Sequence, residues 1–156
     1  MPVSSNVRRH NEATVILILK TTLLRGPYAF DKWEGLFEVD SESLLEDVHA
    51  LLQDTLNFDN DHLYEFFIAR TESSRERLTF DDENGGIYDT AISSVYPLPE
   101  RKHLYYLFDY GDHWLFKIAR TTKTGAEPAQ NVKYPRLLHE SGTRPQQYPS
   151  VDEDDA

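Results

Sequence analysis

Five side chains in this sequence are of types that do chemistry together: Asp61, His62, Asp109, Asp112 and His113. Two imidazoles with two or three carboxylates can hold a divalent cation or pass protons as a general acid–base set. Asp109, Asp112 and His113 flank Gly111, so a single turn gathers them. Asp61 and His62 lie far earlier in the chain and reach that turn only if the sheet order brings them there. A second use of the same residues needs no ligand. Asp109 and Asp112 can accept hydrogen bonds from nearby backbone N–H groups and fix the turn, while His62 anchors the loop before its strand. At the level of sequence both uses stand. A divalent metal is the one cofactor the first would take, and the second takes none.

The element that must position the turn is residues 104–118, LYYLFDYGDHWLFKI. Aromatic and aliphatic residues on both sides of a Gly-Asp pair read as a C-terminal β-hairpin. With Gly111 and Asp112 as the loop, Asp109 faces Trp114, Leu107 faces Phe116, and Tyr105 faces Ile118. That apolar face is expected to receive a helix. The candidate helix opens with Ser43-Leu44-Leu45-Glu46, the pattern of a capping box. It places Leu44, Leu45, Val48, Leu51, Leu52 and Leu56 on one face at the 3.6-residue period. Asn57 suits its C-terminal end, because asparagine tolerates the left-handed conformation. His49 is expected at the margin of the buried face or beside Glu46.

The remaining elements follow the same logic. Residues 14–21 (TVILILKT) read as a buried first strand. A loop carrying Trp33, expected to cover a core edge, leads to a second strand at residues 36–39. Residues 63–69 and 78–80 read as further strands. Residues 81–86 read as a solvated turn in which Asn84 and Gly85 supply the positive φ angles. Ile87, Ala91, Ile92 and Val95 have helical spacing, ended by Tyr96-Pro97-Leu98-Pro99. The expectation is a single α+β domain: a mixed β-sheet with one main amphipathic helix packed on it, arranged like a β-grasp. Residues 1–13 form a flexible leader, 14–135 the domain, and 136–156 a Pro-punctuated acidic tail.

Composition narrows the function classes. The 39% hydrophobic and 12% aromatic content support a real core. With no cysteine, disulfides, Cys-based zinc sites and thiol nucleophiles are excluded. A net charge of −11 repels phosphates, so direct nucleic-acid binding is not expected. The acidity fits solubility, a basic protein partner or DNA mimicry. The apolar run near the N-terminus is too short to span a membrane and no signal peptide is evident, which points to the cytoplasm and to no membrane contact. Residues 81–86 fail the calcium-loop template, Gly85-Gly86 lacks the Lys-Ser/Thr pair of a phosphate loop, and no serine sits in a G-x-S-x-G elbow.

At the hairpin the sequence resembles a known family. Leu107-Phe108-Asp109-Tyr110-Gly111-Asp112-His113-Trp114 is similar to the Y-x-Y-D-F-G-D-x-W signature of the plasmid pRiA4b ORF-3-like family. Other blocks agree in order: Pro27 and Trp33; Leu44, Leu45 and Val48-His49; Phe58 with Asp61-His62-Leu63 and Phe66; and Tyr134-Pro135. Glu34 stands where the family usually has Arg, and Ser141-Gly142-Thr143-Arg144-Pro145-Gln146-Gln147 lacks its cysteine and acidic residues. Family members are often labelled insertion-element passengers of TnpR type. A serine recombinase needs an arginine-supported nucleophilic serine and a basic DNA-binding module, and this acidic sequence shows neither. The resemblance implies a fold and a mobile-element context rather than an activity. The leading functional expectation is a non-enzymatic interaction or accessory domain. In it an exposed rim of Tyr105, Tyr106, Tyr110 and Trp114 contacts a protein partner. The alternatives are a metal-assisted hydrolase using His62, Asp109, Asp112 and His113, and an acidic DNA mimic that inhibits a nucleic-acid-binding protein.

Overall fold

The β-branched run near the N-terminus forms the longest strand of a computed structural model that describes residues 14–121 and 125–149. The leader at 1–13 and the acidic end at 152–155 lie outside the described residues. In chain order the elements are β1 (Ile16–Arg25), β2 (Trp33–Asp40), α1 (Leu45–Leu56), β3 (Tyr64–Ala69), β4 (Leu78–Phe80), α2 (Gly86–Asp89), α3 (Ile92–Val95), β5 (His103–Phe108), β6 (Trp114–Arg120) and β7 (Arg136–Gly142). The seven strands make one sheet in the order β4-β3-β5-β6-β1-β2-β7. Every neighbouring pair among them is antiparallel. The sheet is therefore not mixed, and the pairing lends no support to a grasp-like topology. The physical reason lies in the connections. Parallel neighbours need a crossover, but α1 links β2 to β3, which lie near opposite edges of the sheet rather than side by side.

Strand alternation sorts the residues into two faces. One face presents Leu17, Leu19, Trp33, Phe37, Phe66, Ile68, Leu104, Tyr106, Phe108, Trp114, Phe116 and Ile118 to a single core that also takes Leu45, Val48, Leu52 and Leu56 of α1. Burying those four helix side chains contributes on the order of 6–12 kcal/mol before chain entropy is charged. The other face holds a smaller cluster of Phe67, Ala69, Tyr105, Leu107 and Leu115. The Arg77 guanidinium lies 3.8 Å from the Phe67 ring centroid on that face. Carbonyls of Glu72 and Ser74 hold it there.

The helix start differs from the capping box read in the sequence. Leu44 is the N-cap residue, and the Asp47 carboxylate accepts its backbone N–H at 2.8 Å. Ser43 instead donates its hydroxyl to Asp40 Oδ1 at 2.7 Å, which removes it from the cap. The C-terminal end is as expected, with Asn57 left-handed at φ 58. In the 81–86 turn Gly85 alone takes positive φ. Asn84 works through its side chain, accepting the N–H groups of Asp81 and Gly86.

The sheet also runs past Pro135, where the tail was expected to begin. Residues 136–142 pair along β2 as an edge strand. Trp33, 1% exposed, donates its indole N–H to Glu140 at 2.9 Å. Arg144 closes on the same carboxylate at 2.5 Å. These two donors hold Glu140 down at about 2. No described helix is long and apolar enough to cross a membrane.

Candidate functional site

The hairpin turn is built on Asp109. Its φ is 69° and that of His113 is 61°, both in the left-handed region that aspartate tolerates better than most residues. Asp109 Oδ1 accepts the N–H groups of Gly111 at 3.0 Å and Asp112 at 3.2 Å. Its carbonyl accepts His113 N–H at 2.5 Å, and its own N–H donates to the Leu63 carbonyl at 2.9 Å. The loop therefore spans residues 109–113 rather than two residues. This moves the pairing by one position: Phe108 faces Trp114, Leu107 faces Leu115, and Leu104 faces Ile118. A one-residue change of register exchanges the faces. The helix packs over Leu104, Tyr106, Phe108, Trp114, Phe116 and Ile118, not over Tyr105 and Leu107.

The same change removes the expected aromatic rim. Tyr106 and Trp114 are fully buried and Tyr105 is 4% exposed, so only Tyr110, at 47%, is open to a partner.

Around the turn the structure brings Asp61, His62 and Asp109 together. Asp109 is 5% exposed, and its Oδ2 lies 3.3 Å from His62 Nε2. Asp61 Oδ1 lies 3.7 Å from the same nitrogen. The surrounding atoms are supplied by Gln147 and Tyr148, neither of them among the candidate site residues read from the sequence. Gln147 donates to Asp61 Oδ1 and accepts Asp59 N–H, at 2.9 and 2.7 Å. Tyr148 donates its hydroxyl to Asp61 Oδ2 at 2.9 Å, and its oxygen lies 3.1 Å from His62 Nε2. Since the Tyr148 proton goes to Asp61, that oxygen accepts, which assigns the proton of a neutral His62 to Nε2. Bonding to Asp61 pushes the Tyr148 hydroxyl up to about 12. Desolvation acts to raise Asp61, but the bonds from Gln147 and Tyr148 outweigh it and hold the carboxyl below its ordinary value.

The side chains of His113 and Asp112 make none of the hydrogen bonds described for this cluster; both residues meet Asp109 through their backbone N–H groups. His113 Nε2 meets Arg25 Nη2 at 3.2 Å, and Arg25 in turn pairs with Glu72 at 2.6 Å. Burial, then the charges of Arg25 and Arg77, lower the His113 imidazole from its usual value. Asp112 lends the turn its backbone N–H. Among the described residues no group of three or more His, Cys, Asp or Glu side chains is placed to hold a metal ion. The Asp61–His62–Asp109 arrangement ties three segments together: the turn, the loop before β3, and residues 147–148.

Directly beneath that loop lies a buried polar ring. His49 is 4% exposed, not marginal, and its ring stacks on Tyr64 at 3.5 Å. Its Nδ1 accepts the Tyr106 hydroxyl at 2.6 Å, and its Nε2 donates to Asn60 Oδ1 at 2.7 Å. Gln53 donates to the Tyr106 oxygen at 3.1 Å and accepts Asn60 N–H at 2.8 Å. The sequence carried a signal for this ring. Leu45, His49 and Gln53 recur every four residues, so two polar side chains share the phase of a core leucine and must find buried partners.

The family model described as plasmid pRiA4b ORF-3-like protein matches residues 35–148, which takes in α1, the 57–62 loop, the hairpin turn, β7 and residues 147–148. The chain belongs to this family. The crystal structure of a protein of unknown function, MM3350 from Methanosarcina mazei Go1, is similar in fold. It has a TM-score of 0.64 and 19% identity over 81% of this chain and 70% of that one. No curated protein matches.

Proposed function

We propose that this chain is a non-enzymatic interaction module that receives a basic segment of a partner protein. The supporting observation is a cavity of about 630 Å³ bordered by Asp40, Glu42, Asp47 and Asp54, with Ala50, Leu51, Tyr134 and Pro135 as its apolar lining. Among the described residues no Lys or Arg lines it. Four carboxylates, of which Asp40 and Asp47 also accept bonds from Ser43 and Leu44, beside Leu51, Tyr134 and Pro135 suit arginine or lysine side chains whose stems need a surface to lie on. The position of Asp54 strengthens the reading. It stands in the last turn of α1, which carries no basic residue. A negative charge there opposes the helix dipole, so local stability does not explain its presence. The Asp61–His62–Asp109 cluster fits a module without catalysis, since its carboxylates are held by backbone N–H groups, Gln147 and Tyr148.

The test uses a fluorescein-labelled nonapeptide, eight arginines around a central leucine, read by anisotropy. Glu42→Lys with Asp54→Lys is expected to weaken binding about tenfold. Asp54→Lys alone should leave the fold intact or stabilise it by about 0.5 kcal/mol. The control variant is Glu76→Lys with Glu83→Lys, at exposed acids elsewhere. Equal losses in the two double variants would reduce the effect to net charge and remove the cavity as the site.

A further inference from the structure

The His49–Tyr106–Gln53–Asn60 ring plays no part in that reading, yet it is the most completely bonded polar feature of the core. Its donors and acceptors close in one way. Gln53 donates to Tyr106, Tyr106 to His49 Nδ1, His49 Nε2 to Asn60, and Asn60 N–H back to Gln53. That assignment requires a neutral imidazole. A proton added at Nδ1 would point a second N–H at the Tyr106 oxygen and leave the Tyr106 hydroxyl proton without its acceptor, in a place with no solvent exposure.

The ring is also the inner anchor of residues 57–62. Asn60 is held by Gln53 and His49 from below, while Asp59 and Asp61 hold Gln147 and Tyr148 from above. We propose that this ring is an acid-operated latch. When His49 takes up a proton, residues 57–62 and the bonded residues Gln147 and Tyr148 come away from the sheet while the sheet itself stays folded.

The groups facing His49 are consistent with this. Tyr64 of β3 stacks on it, Tyr106 and Phe108 of β5 meet its edge, Gln53 lies on its own helix, and Asn60 comes from the loop. Glu46, Asp47 and Asp82 act on the hydroxyl of Tyr64. His62 packs against Phe108 at 6.1 Å, with Asp61 and Asp109 beside it. The Tyr64 ring face favours a cation, but burial outweighs it and, with the Asn60 bond opposing, brings His49 down to about 4. An opened loop returns the imidazole to its ordinary 6.5. Between those values the open form binds the proton and the closed form does not, so the latch is fully present above 6.5 and weakens as pH falls toward 4.

Amide hydrogen exchange, corrected for intrinsic rates, reads the latch directly. From pH 7 to 4 the protection of the Asp59 and Asn60 amides, bonded to Gln147 and Gln53, should fall on the order of a hundredfold, while amides of β5 and β6 keep theirs. His49→Gln should flatten that dependence. Tyr106→Phe removes the donor that favours the neutral ring and should move the midpoint up by about half to one pH unit, which tests the idea even if the glutamine variant fails to fold. His62→Gln should leave the midpoint in place. The latch is overturned if loop and sheet amides lose protection together, if Tyr106→Phe leaves the midpoint unmoved, or if the midpoint follows His62.

Discussion

Trp114→Ala is expected to destabilise the protein by about 3–5 kcal/mol, the cost of emptying a large aromatic site in a core that cannot collapse around it. The indole is fully buried and packs on Phe58 at a centroid distance of 5.1 Å. On its other side the chain comes so close that only glycine fits. A Cβ on Gly26 would lie 2.1 Å from Trp114 Cε3. Gly26→Ala alone should therefore cost about 2 kcal/mol through overpacking. In the Trp114→Ala background the added methyl enters the vacated space, and the same substitution should be nearly neutral. Denaturant titration of the four proteins of this cycle gives the coupling, expected at about 2 kcal/mol. Additive costs would show that Gly26 and the indole do not share space. A near-native Trp114→Ala protein would return the indole to the role of a surface contact. Trp114→Phe is expected to be much milder, since among the described residues the indole N–H has no hydrogen-bond partner to lose.

Why that residue reads from the sequence as an exposed rim, and from the structure as core, is a matter of one backbone conformation. The alternation of residues 104–108 and 114–118 makes the hairpin legible, but period 2 leaves open which face is which. Register depends on the loop, and the loop depends on Asp109 adopting a left-handed φ and accepting three N–H groups with its carbonyl and Oδ1. Nothing in the residue types separates that five-residue loop from a two-residue Gly-Asp turn. The helix was legible because its leucines repeat at 3.6, and β1 because of its β-branched run. β7 was not, because RLLHESG is an edge strand whose side chains are mostly exposed, so no apolar alternation marks it. The candidate site was half legible. Asp61, His62 and Asp109 are conspicuous by type, and the strand pairing Tyr64↔Phe108 brings them together. Gln147 and Tyr148 were not, since an irregular segment carries no period and its role rests wholly on hydrogen bonds to residues far away in the chain.

A substitution series at Asp109 separates the turn-forming role of its carboxylate from any role of its charge. Asp109→Ala loses the acceptor for the Gly111 and Asp112 N–H groups and places a residue with a Cβ but no polar compensation at φ 69°. Each orphaned donor costs about 1 kcal/mol and the left-handed alanine about 1–2 kcal/mol, so with two donors a loss of about 3–4 kcal/mol is expected. Asp109→Asn keeps an oxygen in the Oδ1 position and the tolerance of left-handed backbone, and gives up only the negative charge facing His62 at 3.3 Å. That pair is open to water on the histidine side, where the His62 side chain is 42% exposed, and such pairs contribute about 0–1 kcal/mol. Asparagine should therefore retain most of the stability. Asp109→Gly should fall between, because it relieves the φ strain while still losing the acceptor. Chemical denaturation gives the order directly: Asp above Asn, then Gly, then Ala. If Asn were as costly as Ala, the weight would shift from the turn to the His62 contact, and the cluster would have to be read as a charge pair first and a loop anchor second.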